Sequence, residues 1–343
     1  MRVIIVGGVF GHDDAYRRSI NPTPEMTLAA GLRRRGVDVI ESPHRWIHPP
    51  ARADVVHVHH LGKSVPGLAA AFPMVARTLV FTRHGEEVGL PRDRAAALWL
   101  VQHRANAVVA LSEQEARRLR RQVRGRVSVI RNGIDGPGQL PPRIRTPGQE
   151  PYRLLYVGQL IPLKNVDVLL RAVAASLERA DVSLRLIFHN DYLLNSLRAL
   201  AAHLGIAHVV TFVGPKDAAG MAEEYRRADA LVLPSATEAL PSVVTEALLA
   251  QLPVLASTVG GIAEQVHEAG VLVPPGDVEG LGAGLIRLIE NYDLFLAASR
   301  RRSVEMQQEY AVETMIDRHL ELYETVLGGR YGRTQRLVRM AGR

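Results

Sequence analysis

The sequence predicts an α/β protein made of two doubly wound, Rossmann-like parallel-sheet domains. Three observations lead there. Short β-branched runs alternate with helix-patterned stretches along the whole 343-residue chain, as expected for parallel sheets covered by helices on both faces. The stretch DGPGQLPPRIRTPGQEP (135–151) interrupts the alternation with five prolines and three glycines, a linker composition. The length is ample for two cores and long for one.

The first half offers strand-like runs at RVIIV (2–6), VDVIE (37–41), DVVHVHH (54–60), TLVFT (78–82), NAVVAL (106–111) and RVSVI (126–130). A helix is expected from Thr23-Pro24, a cap followed by proline at the first helical position. Another is expected at Ser112, where Glu115 completes a capping box. The second half repeats the scheme with RLLYVG (153–158), SLRLIF (183–188), HVVTFVG (208–214), ALVLP (230–234), PVLAS (253–257) and GVLV (270–273). The expected domains are 1–135 and 152–310, joined by a linker over 136–151 and followed by a basic tail over 328–343. Ligands of such sheets bind beyond the carboxyl ends of the strands, so a two-domain version is expected to offer an interdomain cleft.

Composition narrows the function classes. Apolar residues make up 47% of the chain and cysteine is absent. A folded protein is expected, without disulfides or thiolate metal sites, which fits a reducing, cytoplasmic setting. The start MRVIIVGGVF has too short an apolar stretch for a signal peptide, and no run reaches the ~18 residues of a membrane span.

Charge is uneven. Residues 1–150 carry 23 Lys and Arg against 13 Asp and Glu, a net of +10, whereas residues 151–327 carry 14 against 22, a net of −8. The basic half points to an anionic partner, either an acidic substrate, a membrane surface or nucleic acid; a solvated basic face is the alternative. The basic stretch SEQEARRLRRQVRGR (112–126), with Leu119 and Val123 on one face, is a candidate for docking on an anionic membrane surface. No aromatic stacking platform or recognition motif accompanies the arginines, so a specific nucleic-acid partner is not expected.

The segment SATEALPSVVTEALL (235–249) is the most informative. Its Glu238 and Glu246 are eight residues apart, but so are Glu305 and Glu313, and Glu313 and Glu321, in a plain helical pattern. Spacing therefore decides nothing, and context must. ALVLPS reads as a buried strand ending in a turn. Pro241 fits a helix start and Ser242 is placed to cap it. Backbone N–H groups around 240–243 and the helix dipole favour an anion such as phosphate. Carboxylates cannot bind that phosphate, but they accept hydrogen bonds from hydroxyls. An anionic centre flanked by hydroxyls on both sides describes a nucleotide sugar.

LLYVGQLIPLKNVDVLL (154–170) agrees with this. It reads as strand, glycine turn and helix, with Lys164 just before the helix, where a flexible ammonium reaches a diphosphate. The chain has only two other lysines, Lys63 and Lys216. A chance surface lysine is the alternative reading. Two further clusters invite a metal interpretation. HVHH (57–60) ends a buried strand, and no metal is expected there. GHDD (11–14) reads as a loop over an acceptor pocket, with His12, Asp13 and Asp14 as acceptor candidates.

These residues, with VIRNGID (129–135), ADVVHVHH (53–60), TRHG (82–85), ANAVVALSEQE (105–115), GVLVPPGD (270–277) and the longer stretch 228–266, resemble retaining glycosyltransferases of the GT-B fold, family 4. The resemblance covers most of the chain. It implies an acceptor-side first domain, a donor-binding second domain, and a final helix over about 311–327 that packs back on the first. Glu246 would bind the donor ribose and Glu238 the transferred sugar. Backbone at Leu240, Pro241 and Ser242 would approach sugar and diphosphate. Lys164, with Gly158 and Gln159 nearby, would hold the diphosphate. Gly7 or Gly8 would come close to the phosphate, and His84 would face the sugar.

The implied reaction needs no metal or cofactor, the nucleotide sugar (UDP-sugar favoured) being a substrate. The acceptor would be a small molecule or lipid-linked. Three departures stand out. Gln159 replaces the usual arginine, GGVFGHDDAYRRSINPTPEM replaces the usual glycine pair before the first helix, and HNDYLLN replaces a glycine-rich turn after 183–188. Two other readings stay open at this level: a basic protein that holds nucleic acid or membrane, and another GT-B enzyme such as an epimerase or phosphorylase. SATEALPSVVTEALL favours transfer.

Overall fold

The computed structural model describes residues 1–19, 22–43, 52–59, 76–85, 92–134 and 151–328. Most of the expected linker, the tail after Gly328, His60 and Lys63 lie outside them. The chain divides into two compact units, one running to Gly133 and resuming at Tyr310, the other spanning Ile134–Glu309.

The first unit holds β1 (Arg2–Val6), β2 (Asp38–Ser42), β3 (Ala53–Val58), β4 (Ala76–Thr82), β5 (Ala107–Ala110) and β6 (Arg126–Val129). They form one parallel sheet in the order β2-β1-β3-β4-β5-β6. Alternate side chains leave opposite faces of a strand, and both faces here are covered. Ile4, Val6, Val56, Val58, Leu79 and Phe81 share one core with Val101 and Leu119. Val3, Ile5, Val55 and Val80 share the other with Leu28, Leu32, Ile316 and Tyr323. Each fully buried aliphatic side chain contributes about 1.5–3 kcal/mol. Burial on both sides is why these strands read as unbroken apolar runs.

Ile316 and Tyr323 belong to the helix Val312–Val326, which packs on Pro24–Arg34. Gly31 permits the contact, since a Cβ there would lie 2.0 Å from Ile316 Cδ1. Arg34 and Arg35 add exposed bonds to Glu313 at 3.0 and 2.6 Å, which weigh little beside the apolar contact.

Three local expectations need correction. Thr23 occupies the cap position before Pro24, but its side chain makes no cap bond. At Ser112 the hydroxyl accepts the Glu115 N–H at 3.2 Å, while a Glu115 carboxylate oxygen accepts the N–H of Leu111, one residue before the cap, at 3.2 Å. The basic stretch 112–126 forms only the short helix Glu113–Leu119. Leu119 is turned into the core, and Val123 is half-buried against it. Among the described residues, no helix is long and apolar enough to cross a membrane.

The second unit holds β7 (Tyr152–Val157), β8 (Val182–Ile187), β9 (Val210–Phe212), β10 (Ala230–Leu233), β11 (Val254–Ser257) and β12 (Gly270–Val273). Its sheet is also parallel, ordered β12-β11-β10-β7-β8-β9. All the runs expected as strands form strands, within two residues at their ends. The chain leaves β7 toward β8 and β9 and returns on the other side of β7 through β10. The β7/β10 seam is thus the topological switch point, where such sheets bind ligands. The seam pairs Ala230 with Leu154 and Leu231 with Leu155. Asp229 secures its amino end, accepting from the Arg153 backbone N–H at 2.9 Å and from Nε and Nη2 at 3.1 and 3.0 Å.

Buried histidines add a pH dependence to the first unit. His57 contacts Tyr323 Oη at 2.6 Å and Thr82 Oγ1 at 2.7 Å through its two ring nitrogens. Burial, then the nearby His319 and His84, holds its pKa well below the usual imidazole value. His319 donates from Nδ1 to the Met315 carbonyl at 2.8 Å, while its buried Nε2 has no hydrogen-bond partner. Burial lowers its pKa to about 4. The unfolded chain then binds the extra proton first, so stability is intact above the ordinary value near 6.5 and falls as the pH drops toward 4. The loss from His319 alone approaches about 3 kcal/mol. Urea unfolding of His319→Leu between roughly pH 7 and 4.5 is expected to show a clearly flatter pH slope than the parent; an unchanged slope would remove His319 as the proton acceptor.

Candidate active site

The site is built on loops leaving the carboxyl ends of β7, β8 and β10. After β7 come Gly158, Gln159 and the buried Leu160, then a 3-10 turn over Pro162–Lys164. Asn165 turns left-handed (φ 48°, ψ 40°) into the helix Val166–Ser176, a conformation that asparagine tolerates better than most residues. Backbone bonds tie this loop to both neighbours. Leu160 N–H donates to Asn190 O at 3.3 Å, Leu193 N–H to Leu160 O at 3.1 Å, and Ala236 N–H to Leu163 O at 2.8 Å.

The loops after β7 and β10 bring the two expected polar groups together. Lys164 Nζ lies 2.5 Å from Glu238 Oε1, and Ser235 Oγ donates to the same oxygen at 2.7 Å. The pair is mostly buried, with side chains 22% and 11% exposed. Both bonds use one carboxylate oxygen, which leaves Oε2 for a further donor. The backbone of the Glu238 loop rests on Gly260, which has φ +53°. A Cβ there would fall 2.1 Å from Glu238 O and 2.7 Å from Ala239 O. Gly261 N–H donates to Ala239 O at 2.7 Å.

The next helix is Ser242–Leu249, capped by Pro241 in an extended conformation and without any side-chain cap bond. This corrects the expectation for Ser242, which is the first residue inside the helix and too late to cap it. Proline offers no side-chain oxygen, so no side chain caps the first amides. The buried Gln265 fixes this helix start, donating from Nε2 to Pro241 O at 3.0 Å and to Thr245 Oγ1 at 2.7 Å. Leu240 and Pro241 are buried beside it. One turn on, Glu246 Oε2 accepts from Tyr225 Oη at 2.7 Å. Burial, then the Glu246 charge, raises the Tyr225 pKa far above the usual phenol value, which keeps it a donor. Burial, then the Glu238 charge, does the same for Tyr156. Tyr156 donates to Gln159 O at 2.8 Å through space that only a glycine at 158 leaves open. Gln159 Nε2 lies 3.4 Å from His189 Nε2.

In the first unit, Gly7 is extended and Gly8 opens a 3-10 turn, Gly8–Gly11. A Cβ on Gly7 would sit 2.8 Å from Glu25 Cγ. The space is filled by a carboxylate-bearing side chain, which counts against a phosphate contact at Gly7. Asp13 Oδ1 accepts the Tyr16 N–H at 2.8 Å, Asp14 pairs with Arg17, and His12 stacks on Tyr16 at 4.2 Å. The two acids thus stabilise their own helix. His84 follows β4, with Nε2 3.0 Å from His59 Nδ1. Among the described residues, no group of three or more His, Cys, Asp or Glu is placed to hold a metal ion.

The site residues that sequence reasoning missed are Ser235, Tyr225, Gly260, Gln265, His59 and His189. Ser235, Gly260, Gln265, His59 and His189 lay inside quoted stretches and were accessible there. Tyr225, 21 residues from Glu246, carried no local signal.

Two parallel doubly wound units, the second with a charged site at its switch point, fit the GT-B fold. The solved structures agree on the fold. The sucrose-phosphate synthase of Thermosynechococcus elongatus superposes with a TM-score of 0.78 at 20% identity, covering 96% of this chain and 100% of that one. Anabaena HepE in complex with UDP-glucose superposes with a TM-score of 0.70 at 19% identity, covering 95% and 100%. Residues 3–136 match the model for Glycosyltransferase Family 4, and residues 142–307 match that for Glycosyl transferases group 1. Among curated relatives, the D-inositol 3-phosphate glycosyltransferase of Geodermatophilus obscurus is 32% identical over 300 residues, 78% of this chain and 66% of its own length. The glycogen synthase of Mycobacterium tuberculosis strain H37Rv is 32% identical over 300 residues, 82% and 68%. The chain belongs to glycosyltransferase family 4.

The Gly260 contact predicts a sharp contrast between two glycines. Gly260→Ala is expected to cost about 2–4 kcal/mol, from left-handed strain plus a backbone clash. Gly276→Ala, also at positive φ (+77°) but facing open space, should cost about 1–2 kcal/mol. Equal shifts in urea unfolding would mean that the Glu238 loop does not lean on Gly260.

Proposed function

We propose that this chain is a retaining glycosyltransferase that moves a sugar from a nucleotide-sugar donor, a UDP-sugar by preference, to an acceptor hydroxyl without a metal ion. The observation that carries the reading is the Lys164–Glu238 pair at the β7/β10 switch point, beside a helix start that no side chain caps. Glu246 stands one turn further on. The diphosphate lies over the helix start, where amide dipoles favour an anion. Glu246 accepts from the ribose hydroxyls, oriented by Tyr225. Glu238 Oε2 accepts from the transferred sugar. Lys164 has three N–H donors, so it can keep Glu238 and take a diphosphate oxygen as well. Leu240, Pro241, Ser242 and Gly158 supply close backbone, and His84 and Gly8 of the first unit are further candidate contacts.

In the reaction the bond from the anomeric carbon to the diphosphate oxygen breaks, and its electron pair stays with the diphosphate. The acceptor oxygen attacks on the same face and gives its proton to the departing phosphate. Charge builds on the leaving group in the transition state, where a preorganised ammonium and amide groups act most strongly.

An anionic acceptor suits the basic charge of residues 1–150. The Geodermatophilus relative, a D-inositol 3-phosphate glycosyltransferase, also supports it. A small-molecule acceptor and a lipid-linked one both fit.

A thermal-shift panel of UDP, GDP, ADP and CMP tests the donor. One of them, UDP by preference, should stabilise by about 2.7 kcal/mol at ~100-fold its Kd; no shift from any of the four would sink the reading. Glu246→Gln should weaken nucleotide binding by about tenfold or more, the loss of a charged hydrogen bond. Lys164→Ala should lower kcat/KM by roughly 10²–10³ with an intact fold, and near-normal turnover would remove its role.

A further inference from the structure

The second sheet has a polar face where an apolar one is expected. β8 lies between β7 and β9, and an interior strand of a parallel sheet ordinarily buries apolar side chains on both faces. Val182, Leu184 and Leu186 do so on one face. Ser183 and Arg185 leave the other. The register sets them beside Arg153 and Leu155 of β7 and the exposed Thr211 of β9. The helix Ala218–Arg227 reaches this face through Glu224 and buries only Glu224 and Tyr225. Between helix and strands lies a cavity of about 350 Å³, lined by Arg153, Leu155, Ser183, Arg185, Glu224 and Arg227. That is large enough for a small molecule. It sits toward the amino ends of the strands, since Arg153 is roughly 13 Å along β7 from Val157, where the site loops begin.

The hydrogen bonds around the cavity leave donors over and acceptors used. Arg185 forks Glu224 through Nε and Nη2, both at 2.8 Å. The fork takes both carboxylate oxygens and two of the five guanidinium N–H groups, so three N–H groups of Arg185 stay unused. Arg153 forks Asp229 in the same way. Glu223 is shared between two arginines. It accepts Nε and Nη2 of Arg226 and only Nε of Arg227, each at 2.6 Å. The Nη1 and Nη2 groups of Arg227 stay unused. The hydroxyl of the half-buried Ser183 makes no hydrogen bond within the protein. Four arginines thus meet three carboxylates, a net of +1. Guanidinium and hydroxyl donors around one space suit an oxyanion. A phosphate offers three acceptor oxygens, one toward each of Arg185, Arg227 and Ser183. Leu155 and Ala228 supply an apolar wall beside them.

We propose that this cavity is a second ligand site, which takes a small phosphate ester. The phosphate sits on Arg185, Arg227 and Ser183, and the organic body lies against Leu155 and Ala228. The site is separate from the loops that carry Lys164 and Glu238, and it stands whether or not those loops bind a nucleotide sugar.

Calorimetric titration of the full chain with glycerol 3-phosphate tests this at about pH 7.5, above the second phosphate pKa near 6. Saturable binding at one site is expected, and glycerol alone should give no heat of binding. Inorganic phosphate, which has no organic body, should bind several-fold more weakly; equal binding would overturn the ester. Ser183→Leu fills the cavity without touching a charge. The double variant Arg185→Met/Glu224→Met removes the buried pair without stranding either member. Each should weaken binding about tenfold or more, the loss of charged hydrogen bonds or of the space itself. Arg227→Ala changes an exposed side chain, leaves the fold in place, and should weaken binding several-fold. Lys164→Ala should bind as the parent does. No binding by the parent, parent-like affinity in Arg227→Ala or in both cavity variants, or loss of binding in Lys164→Ala overturns the proposal.

Discussion

The parallel seam between β7 and β10 is the constraint on which the second unit depends. The two strands are separated by more than 70 residues of chain, yet Ala230 and Leu231 register against Leu154 and Leu155. Asp229 clamps the amino end of the seam through a fork on Arg153 that spends most of its carboxylate lone pairs. Such a clamp costs desolvation, and its value lies more in setting register than in net stability. A slip of one residue would turn every side chain of β10 to the opposite face. With the register set, the loops after β7 and β10 must emerge side by side, and the Ala236–Leu163 backbone bond joins them.

That geometry creates the Lys164–Glu238 pair and explains its chemistry. Either charge alone, so far buried, would be costly. Together they form a neutral pair, in which the ammonium keeps unused N–H donors. Glu238 and Glu246 are held in different ways. Glu238 is held by an ammonium, a serine and the glycine turn at 260–261, and Glu246 by the buried phenol of Tyr225. Each carboxylate has a partner that keeps it aimed before ligand binds, which is the preorganisation a positioned acceptor requires.

The first unit shows the same economy in its core. The helix Val312–Val326, from the far end of the chain, fills the face beside β1 and β3 and delivers Tyr323 to His57. His57, His59 and His84 then follow one another toward the carboxyl edge of the sheet, with ring centroids 4.3 and 5.2 Å apart. Burial keeps His57 neutral, so it serves as a hydrogen-bonding spacer and adds a stability that fades in acid.

Much of this was legible in the sequence. Strand runs were visible because both faces of a parallel sheet are buried, which leaves no polar alternation to obscure them. Glu238, Glu246 and Lys164 were legible from local context: a strand end, a helix start and a lysine in an arginine-rich chain. The helix start was misread by one residue at Ser242, because a proline cap has no side-chain signature. The place of Leu119 in the basic stretch 112–126 was not legible, because only the tertiary core shows it to be buried. Partners far apart in the chain were not legible at all. Tyr225 meets Glu246, His189 meets Gln159, and His59 meets His84 only because strand order places the helices and loops that carry them together. The sequence by itself determined the periodicity, the two-sheet architecture and the chemical types in the site, since these follow from local propensity and burial pattern. Tertiary structure alone decided which charge neutralises which, because strand order and register bring together groups with no relation along the chain.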